Sequence, residues 1–443
     1  MTEKNEDLIA HKRALQEQVM SRMCFDCEME DTAVLKLIDN CIREESDKVR
    51  LPLKEMLSLR QELFHSLRRL DLLSELLEED EVSEIMINGY ENIFVERAGR
   101  LEQLSKSFAS EEKLRDVIQK VVSDCNRRVN ESHPVVDARL KDGSRVNVVL
   151  PPVSLNGAVM TIRRFPKKPM TMERLLQLKS LSVEASKLLC LLVQAGYNIF
   201  ISGGTGSGKT TFLNALSGFI PDTERVITIE DAAELQLQGI PNLIRLESRD
   251  ANVEGENEVT IKDLIKASLR MRPDRLIVGE VRDGAALDML TAMNTGHDGS
   301  LSTGHVNSAR DMFRRLDTMV LMAVDMPISA IQSQIASAID IVVHLGRLRD
   351  RRRCVLEICE VLGEKEGQYE LRTLYQFQET GSGDADTVEG ELFFSALLMN
   401  VEKLKKEGLY EAYKELFCGN LCPELQPDYV GGQHEYIMCM GNE

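Results

Sequence analysis

The segment at residues 203–210, GGTGSGKT, is the feature of this 443-residue chain that most restricts its fold. It matches the pattern G-x-x-x-x-G-K-[ST], follows the apolar run YNIFISG and precedes the helix-like stretch FLNALSGF. In a strand, glycine-rich turn and helix of this kind, the backbone amides of the turn and the positive end of the helix face the same point. The sequence therefore predicts a P-loop domain that binds a nucleoside triphosphate.

Two residues of this segment have specific expected roles. Lys209 reaches the β- and γ-phosphates, and the hydroxyl of Thr210 binds Mg²⁺. A glycine-rich turn that contains Lys-Thr by coincidence is the alternative, but the flanking strand and helix disfavour it. The residues expected to contact the nucleotide are Gly203, Gly204, Thr205, Gly206, Ser207, Gly208, Lys209, Thr210 and Thr211.

Changes in hydrophobic periodicity divide the chain into five segments. Residues 1–75 have apolar residues at helical spacing and predict a helical N-terminal region. Residues 76–165 alternate strand-like runs with one helical stretch, which indicates a small mixed α/β domain, and 166–175 form a proline-containing linker. Residues 176–378 alternate helices with apolar strands and predict a mostly parallel sheet covered by helices. In residues 379–443 a polar tether precedes a stretch, ELFFSALLMNVEKLKKEGLYEAYKELF, that we expect to be helical.

Composition limits the class of protein. The net charge of −18, the 5% aromatic content and the lack of tryptophan argue against a protein that coats nucleic acid, which needs clustered basic and stacking residues. No apolar run approaches the roughly 20 residues of a membrane span. The N-terminus MTEKNEDLIAHKRALQEQV is too charged for a signal peptide. We expect a soluble intracellular protein.

The ten cysteines are scattered and do not form a disulfide framework. Cys24 and Cys27 have the spacing of a metal-ligand pair, and Cys418, Cys422 and Cys439 could add ligands in space. A structural zinc site usually needs two such pairs, so ordinary thiols are the better prediction.

Carboxylates follow two of the predicted strands. Glu230 and Asp231 end RVITIED, and Glu280 ends DRLIVGEV. The carboxyl ends of strands in an open α/β sheet face the ligand crevice. Glu280 is the residue expected to orient or deprotonate the attacking water and to share the Mg²⁺ ion with Thr210. Glu230 is a second candidate, and Asp231 is either a site residue or a helix cap.

Hydrolysis of a nucleotide also needs positive charge at the γ-phosphate. Exposed arginines are common, so an ordinary solvated side chain is the alternative for each candidate. The candidates are Arg139, Arg145, Arg163 and Arg164 in the small domain and Arg270, Arg272 and Arg275 near the second acidic strand.

The stretch NTGHDGSLSTGH, residues 294–305, contains His297 and His305. It could hold a metal, provide a catalytic base or sense a bound nucleotide. Two histidines with no adjacent cysteine or carboxylate cluster make an incomplete metal site, so metal binding is disfavoured.

Four motifs occur in a fixed order: GGTGSGKT, TIEDAAE, IVGEVRD and NTGHDGSLSTGH. Together they resemble the P-loop, Asp box, Walker B and histidine box of the secretion ATPase superfamily, which includes type II secretion and type IV pilus motors. Three longer segments are similar in sequence to the CpaF branch, the ATPases of Flp/Tad pilus assembly. They are VDARLKDGSRVNVVLPPV, GGTGSGKTTFLNALS and AMNTGHDGSLSTGHVNS. The resemblance covers roughly residues 70–378.

The resemblance implies an α/β fold: a RecA-like P-loop NTPase domain with a smaller mixed α/β N-terminal domain and a helical N-terminal region. It implies ATP and Mg²⁺ as cofactors, and a homo-hexamer in which the small domain delivers arginines, some from a neighbouring subunit. Glu280, Glu230 and Lys209 would act in hydrolysis, and His297 and His305 would together relay the state of the nucleotide. A loop histidine that only satisfies local hydrogen bonds is the alternative for either one.

The same resemblance implies a cytoplasmic location, peripheral to the inner membrane through a platform protein of the pilus or secretion machine, without direct nucleic-acid contact. A type IV secretion or conjugation ATPase that serves protein or DNA transfer is the main alternative. A P-loop kinase is disfavoured because no acceptor pocket is indicated. Retention of both Glu230 and Glu280 disfavours a regulator that barely hydrolyses its nucleotide.

The chain departs from the family pattern at two points. The histidine box more often ends Ile-His-Ala-Asn, whereas Gly304 precedes His305 here. Ala285 stands where a glutamate usually follows the Walker B motif. Neither change touches Lys209 or Glu280, so we expect them to affect the coupling of the cycle more than hydrolysis.

Overall fold

The computed structural model describes residues 70–97, 99–164, 170–249, 251, 256–381 and 387–418, and, in the N-terminal region, 15, 18–19, 21–22, 31–46, 56–57, 59–61 and 63–64. Residues 166–169 of the predicted linker and residues 382–386 of the tether lie outside these ranges, as do Cys24, Cys27, Cys422 and Cys439. The chain divides into two compact units, residues 1–168 and 169–443.

The first unit contains a six-stranded sheet in the order β3-β2-β1-β6-β5-β4, and every neighbouring pair is antiparallel. One face is covered by α3, whose Leu114, Ile118 and Val122 enter the core, and Ser110 caps its first turn. The elements of this unit are α1 (Asp31–Ser46), α2 (Leu72–Glu78), β1 (Val82–Asn88), β2 (Asn92–Arg97), β3 (Arg100–Gln103), α3 (Glu111–Asp124), β4 (Val135–Arg139), β5 (Arg145–Val149) and β6 (Val159–Arg163).

The second unit contains a nine-stranded sheet in the order β15-β14-β13-β12-β7-β11-β10-β8-β9. Strands β12 through β9 in this order are parallel, and β13 to β15 add an antiparallel extension. The strands are β7 (Ile199–Gly203), β8 (Arg225–Glu230), β9 (Asn242–Glu247), β10 (Arg275–Val278), β11 (Leu301–His305), β12 (Ile341–Arg347), β13 (Arg353–Lys365), β14 (Gln368–Glu379) and β15 (Gly390–Phe394). The helices are α4 (Met172–Gln177), α5 (Val183–Gln194), α6 (Lys209–Ser217), α7 (Ile261–Ser268), α8 (Ala285–Asn294), α9 (Ala309–Ala323), α10 (Ile328–Ala338), α11 (Glu402–Lys406) and α12 (Tyr410–Cys418).

The parallel strands are apolar on both faces because helices cover both sides of the sheet. Successive residues of β7 show this: Ile199 and Ile201 pack with α5 and α6, whereas Phe200 packs with α8, α9 and α10 on the other face. The predicted α/β fold with a mostly parallel sheet is therefore confirmed.

The expectation of continuous helix from Glu391 onward is wrong at its start. Residues of β15 pair with β14, and only α11 and α12 are helical. Leu404 and Phe417 are buried in the same cluster as the residues of β7 that face α5. Apolar residues at mixed spacing can fit either element, and here the open edge of β14 decides for a strand.

Among the described residues, no helix is both long and apolar enough to cross a bilayer. Cys41, Cys125, Cys190, Cys354 and Cys359 are free thiols. No group of three or more His, Cys, Asp or Glu side chains in the described ranges could hold a metal ion.

Candidate functional site

The P-loop is shaped by two glycines. Gly203 ends β7 at a φ of 155°, and a Cβ atom there would lie 2.5 Å from the carbonyl oxygen of Leu345 and 2.6 Å from Oγ of Ser207. Gly208 precedes α6 at a φ of 95°, a conformation that side chains rarely adopt. The loop therefore turns tightly into the helix with its amides at the positive helix end, which fits the phosphates of a nucleotide.

Lys209 is almost fully buried at the start of α6. Its Nζ atom donates to the carbonyl of Gly204 at 3.0 Å and lies 3.1 Å from Nδ1 of His305. Burial, followed by the nearby charge of Arg282, lowers the pKa of this lysine, with Glu280 acting against them. The ammonium group is thus held inside the loop by neutral acceptors.

His305, the last residue of β11, connects Lys209 to Glu280. Its Nε2 atom lies 3.2 Å from Oε1 of Glu280. Burial and then the charge of Lys209 lower the pKa of His305, so the neutral ring is favoured. Since Lys209 has no acceptor to offer, Nδ1 accepts from it, and Nε2–H donates to the carboxylate.

Glu280 is engaged on its other oxygen as well. Nη2 of Arg282 donates to Oε2 of Glu280 at 2.7 Å, and Nη1 lies 3.5 Å from Asp231. The predicted base therefore lies between an imidazole and a guanidinium. Each oxygen keeps a lone pair beyond the contact described, so both contacts are compatible with magnesium coordination by Glu280, which stays a prediction.

Glu230 has a different environment from Glu280. It is buried at the end of β8, and its Oε2 atom accepts from the amides of Glu234 and Leu235, each at 2.7 Å. Burial raises its pKa to about 7. Its Oε1 atom has no hydrogen-bond partner among the described residues. A Cβ atom at Gly279 would lie 2.9 Å from Cγ of Glu230, so only glycine fits beside this side chain.

An open cleft of 660 Å³ lies beside the loop. It extends from Thr205 and His305 along α9. Its wall includes Arg314 and Arg315 of α9 and Arg282, which follows β10. A phosphate group at Lys209 would therefore face a cationic space. The remaining lining residues are Gly204, Val306, Asn307, Asp311, Thr318, Met319 and Met322.

His297 does not lie beside His305 in this structure, and its part in a nucleotide relay stays a prediction. Its Nδ1 atom contacts the carbonyl of Ala292 at 3.1 Å, in the turn that precedes β11. Parallel strands place that turn at the amino edge of the sheet, whereas His305 lies at the carboxyl edge. The five residues of β11 separate the two edges by roughly 13 Å.

Arg275 is also wrongly placed among the catalytic candidates. It is buried at the start of β10, where it pairs with Glu224 and donates to the carbonyl of Val193 at 2.6 Å. Arg270 and Arg272 are exposed in the turn before β10, again at the amino edge of the sheet. The basic run SLRMRPDR therefore lies at the opposite end of the strands from the P-loop.

Arg164 has a structural role in the first unit. It is buried, and it donates to the carbonyls of Leu77 at 2.8 Å, Val82 at 3.1 Å and Leu76 at 3.2 Å and also to that of Glu79. These carbonyls belong to α2, to the turn that follows it and to the start of β1. The guanidinium satisfies the end of that helix and is not available to a phosphate.

The other three candidate arginines of the small domain share a row. Arg139 lies directly opposite Arg145, and Arg145 lies directly opposite Arg163. Cross-strand neighbours point to the same face of a sheet, and like charges opposite each other are unfavourable. The row continues to Glu84, which lies directly opposite Arg163 on β1. The three arginines therefore form a short basic row with a carboxylate at one end, and their anion-binding role stays a prediction.

Sequence reasoning did not select Arg282, Arg315 and Arg353 as site residues. Arg282 lies two positions after Glu280, a spacing that returns a side chain to the same side of an extended segment. Arg315 lies in the cleft wall on α9, and no local motif marks it. Arg353 belongs to the arginine-rich turn RLRDRRR, and its Nε atom donates to the carbonyl of Gly206 at 2.9 Å.

Comparison with known proteins gives a consistent picture. Residues 67–404 match the family model described as "Type II/IV secretion system protein". The chain is 33% identical to the conjugal transfer protein TrbB of Rhizobium radiobacter over 314 residues, which are 70% of this chain and 93% of that protein. It is 35% identical to the type IV secretion system protein PtlH of Bordetella pertussis, over 53% of this chain and 77% of PtlH. The X-ray structure of the Yersinia pseudotuberculosis ATPase DotB has the same fold, with a TM-score of 0.50 and 19% identity over 66% of this chain and 78% of that one.

Proposed function

Because this chain belongs to the type II/IV secretion system protein family, we propose that it is an ATP-hydrolysing motor. The proposal includes a homo-hexamer that binds ATP and Mg²⁺ and works at the cytoplasmic face of the inner membrane through a platform protein. The work done is transport of protein or DNA, or assembly of a pilus.

One observation carries the enzymatic part of the proposal: a single imidazole joins the P-loop lysine to the acidic residue that follows β10. His305 contacts Lys209 at 3.1 Å and Glu280 at 3.2 Å. A γ-phosphate held by Lys209 would replace or compete with this contact, and Glu280 would then change its partner. The site can thus convert the presence of the phosphate into a rearrangement of the residue that orients water.

Two kinds of machine fit the chain. The amino-acid sequence of the four motifs favours the CpaF branch and Flp/Tad pilus assembly. The names of TrbB and PtlH favour a conjugation or type IV secretion motor. The second alternative has the support of relatives that match across most of their own length. We therefore consider it at least as well supported as the first.

The enzymatic proposal is tested by steady-state ATP hydrolysis per mole of chain over a wide range of protein concentration. Lys209→Ala provides the blank, and Glu280→Gln should retain ATP binding while turnover is lost. A specific activity that rises with concentration supports a site completed between copies of the chain. A flat activity that persists where the chain is monomeric removes the hexamer from the proposal, and unchanged turnover in Glu280→Gln removes Glu280 as the base.

The machine is tested in the source cell by replacing the chromosomal gene with the Lys209→Ala variant. Loss of surface pili with transfer and secretion intact supports the pilus motor. Loss of DNA or protein transfer with pili intact supports the type IV alternative. Retention of all three processes would contradict both.

A further inference from the structure

A hairpin rich in arginine lies next to the P-loop. It joins β12 to β13, and β12 is the parallel neighbour of β7, so Leu345 is paired with Gly203 where β7 enters the loop. The seven residues from 347 to 353 read RLRDRRR. The hairpin is thus fixed beside the glycines of the P-loop by the hydrogen bonds of the sheet itself.

The hairpin contains five arginines. Two of them form ion pairs within the chain, one lies at the tip of the turn, and the other two, Arg347 and Arg353, lie at its base. Arg352 pairs with Asp350 at 2.7 Å, and Arg349 pairs with Glu379 at 2.9 Å. Arg351 lies at the tip of the turn with a φ of 68°. Arg347 and Arg353 have no carboxylate partner within the described part of the chain, and they lie directly opposite each other across the two strands. Two like charges in that position repel each other unless an anion lies near them.

Arg353 reaches the P-loop directly. Its Nε atom donates to the carbonyl of Gly206 at 2.9 Å, and its Cδ atom is 3.4 Å from the position of a Cβ atom at Gly208. The guanidinium therefore lies over the part of the loop whose amides surround the α- and β-phosphates of a bound nucleotide. His305 and Glu280 follow β11 and β10, which lie on the opposite side of β7 from this hairpin.

We propose that Arg353, supported by Arg347, binds the α- and β-phosphates of the nucleotide from the β12–β13 hairpin. The inference rests on the proposed nucleotide site and adds to it a second source of positive charge. Because ADP and ATP share these phosphates, the hairpin contributes to the affinity for both, whereas a group at the γ-phosphate distinguishes between them. The guanidinium suits this task because its planar donors can bridge two phosphate oxygens while Nε–H keeps its contact with the loop.

The test is calorimetric titration of the full chain with ADP and with a non-hydrolysable ATP analogue, both with Mg²⁺. Arg353→Gln removes the charge and keeps a side-chain donor, and Arg353→Lys keeps the charge. We expect Arg353→Gln to raise the Kd of both nucleotides about tenfold, a loss of the size of one hydrogen bond to a charged group. Arg353→Lys should lose less affinity than Arg353→Gln, because it keeps the charge without the planar pair of donors, and the loss in Arg353→Gln should shrink at high salt.

Matched controls come from the same hairpin and from the loop. Arg349→Ala removes an exposed arginine that is already paired with Glu379, and it should leave both Kd values unchanged. Lys209→Ala should abolish binding of both nucleotides. Arg353 is exposed, so its replacement leaves the packed core intact.

Each other outcome has one meaning. Unchanged affinity in Arg353→Gln, together with lost affinity in Lys209→Ala, overturns the hairpin contact and leaves the nucleotide site in place. Equal losses in Arg353→Gln and Arg353→Lys that do not shrink at high salt overturn the phosphate contact and leave Arg353 only a role in shaping the loop. Unchanged affinity in Lys209→Ala would contradict the proposed site itself.

Discussion

The Nε2 atom of His305 lies 3.2 Å from Oε1 of Glu280, while Nδ1 of the same ring lies 3.1 Å from Nζ of Lys209. The three residues come from different strand ends, and the order of the sheet brings them together. β11 lies between β7, which leads into the P-loop, and β10, which leads to Glu280. A histidine at the end of β11 is therefore the shortest connection between the lysine and the carboxylate.

Replacement of His305 should impair hydrolysis and leave nucleotide binding intact. In His305→Asn the carboxylate of Glu280 loses a donor that orients it, so we expect kcat to fall about 100-fold with ADP affinity retained. His297→Asn is the matched control, because His297 lies at the other edge of the sheet, and it should have nearly unchanged kcat. Steady-state kinetics and ADP titration of both variants check this, and equal losses of kcat in the two would contradict the assignment.

Glu230 should make the stability of the protein depend on pH. Burial raises its folded-state pKa to about 7, above its ordinary value near 4.5. The folded chain then binds more protons than the unfolded chain between these values, so the free energy of unfolding falls as pH rises from about 4.5 to 7 and is level above that.

Glu230→Gln removes this titration. The difference in free energy of unfolding, variant minus wild type, should therefore increase by about 2 kcal/mol between pH 5 and pH 7.5. Urea denaturation followed by circular dichroism at a series of pH values measures it. Contributions from other groups cancel in the difference, and a difference that does not change with pH would show that Glu230 has an ordinary pKa.

We expect that no residue larger than glycine fits at position 304, because the ring of Phe200 lies beside it. A Cβ atom at this position would lie 2.9 Å from Cε1 and Cζ of Phe200, so Gly304→Ala forces β11 and β7 to shift. We expect a loss of about 2 kcal/mol of stability and a lower kcat, because His305 is the next residue. Phe200→Leu in the same chain should restore part of both, which a double-mutant cycle measures. Additive effects of the two substitutions would contradict the contact.

Two adjacent arginines should behave differently. Arg164 is buried and serves several carbonyls, so Arg164→Met should lower the free energy of unfolding of the first unit by about 3 kcal/mol. Arg163 is exposed on the arginine row, so Arg163→Ala should change that stability by less than about 0.5 kcal/mol. Urea titration of both variants provides the comparison. Similar stability losses would show that Arg164 is not the structural member of the pair.

The departure from the family pattern at Gly304 has a local physical explanation. The ring of Phe200 occupies the space that a side chain at this position would fill. At the second departure, Ala285 is buried at the start of α8, and a Cβ atom at Gly284 would lie 2.8 Å from Cβ of Ala323. Close packing against α9 therefore favours small residues at the beginning of this helix.

The sequence by itself determined the α/β class, the P-loop and the strand ends that bear Glu230 and Glu280. These depend on short-range patterns: glycine positions in a turn, apolar runs of strand length, and polar residues directly after them. The C-terminal strand β15 was missed because an apolar run of that length fits a helix or a strand until a neighbouring edge is available.

Only the tertiary structure decided which candidates meet. His297 and His305 are close along the chain, yet a strand carries them to opposite edges of the sheet. Arg275 and Arg164 have the side chain typical of phosphate-binding sites, yet both are buried. Carbonyl oxygens, and for Arg275 also the carboxylate of Glu224, already accept from their guanidinium groups. Arg282 and Arg353 joined the site without a motif, because strand order fixes the distance between residues far apart in sequence, and local periodicity carries no information on strand order.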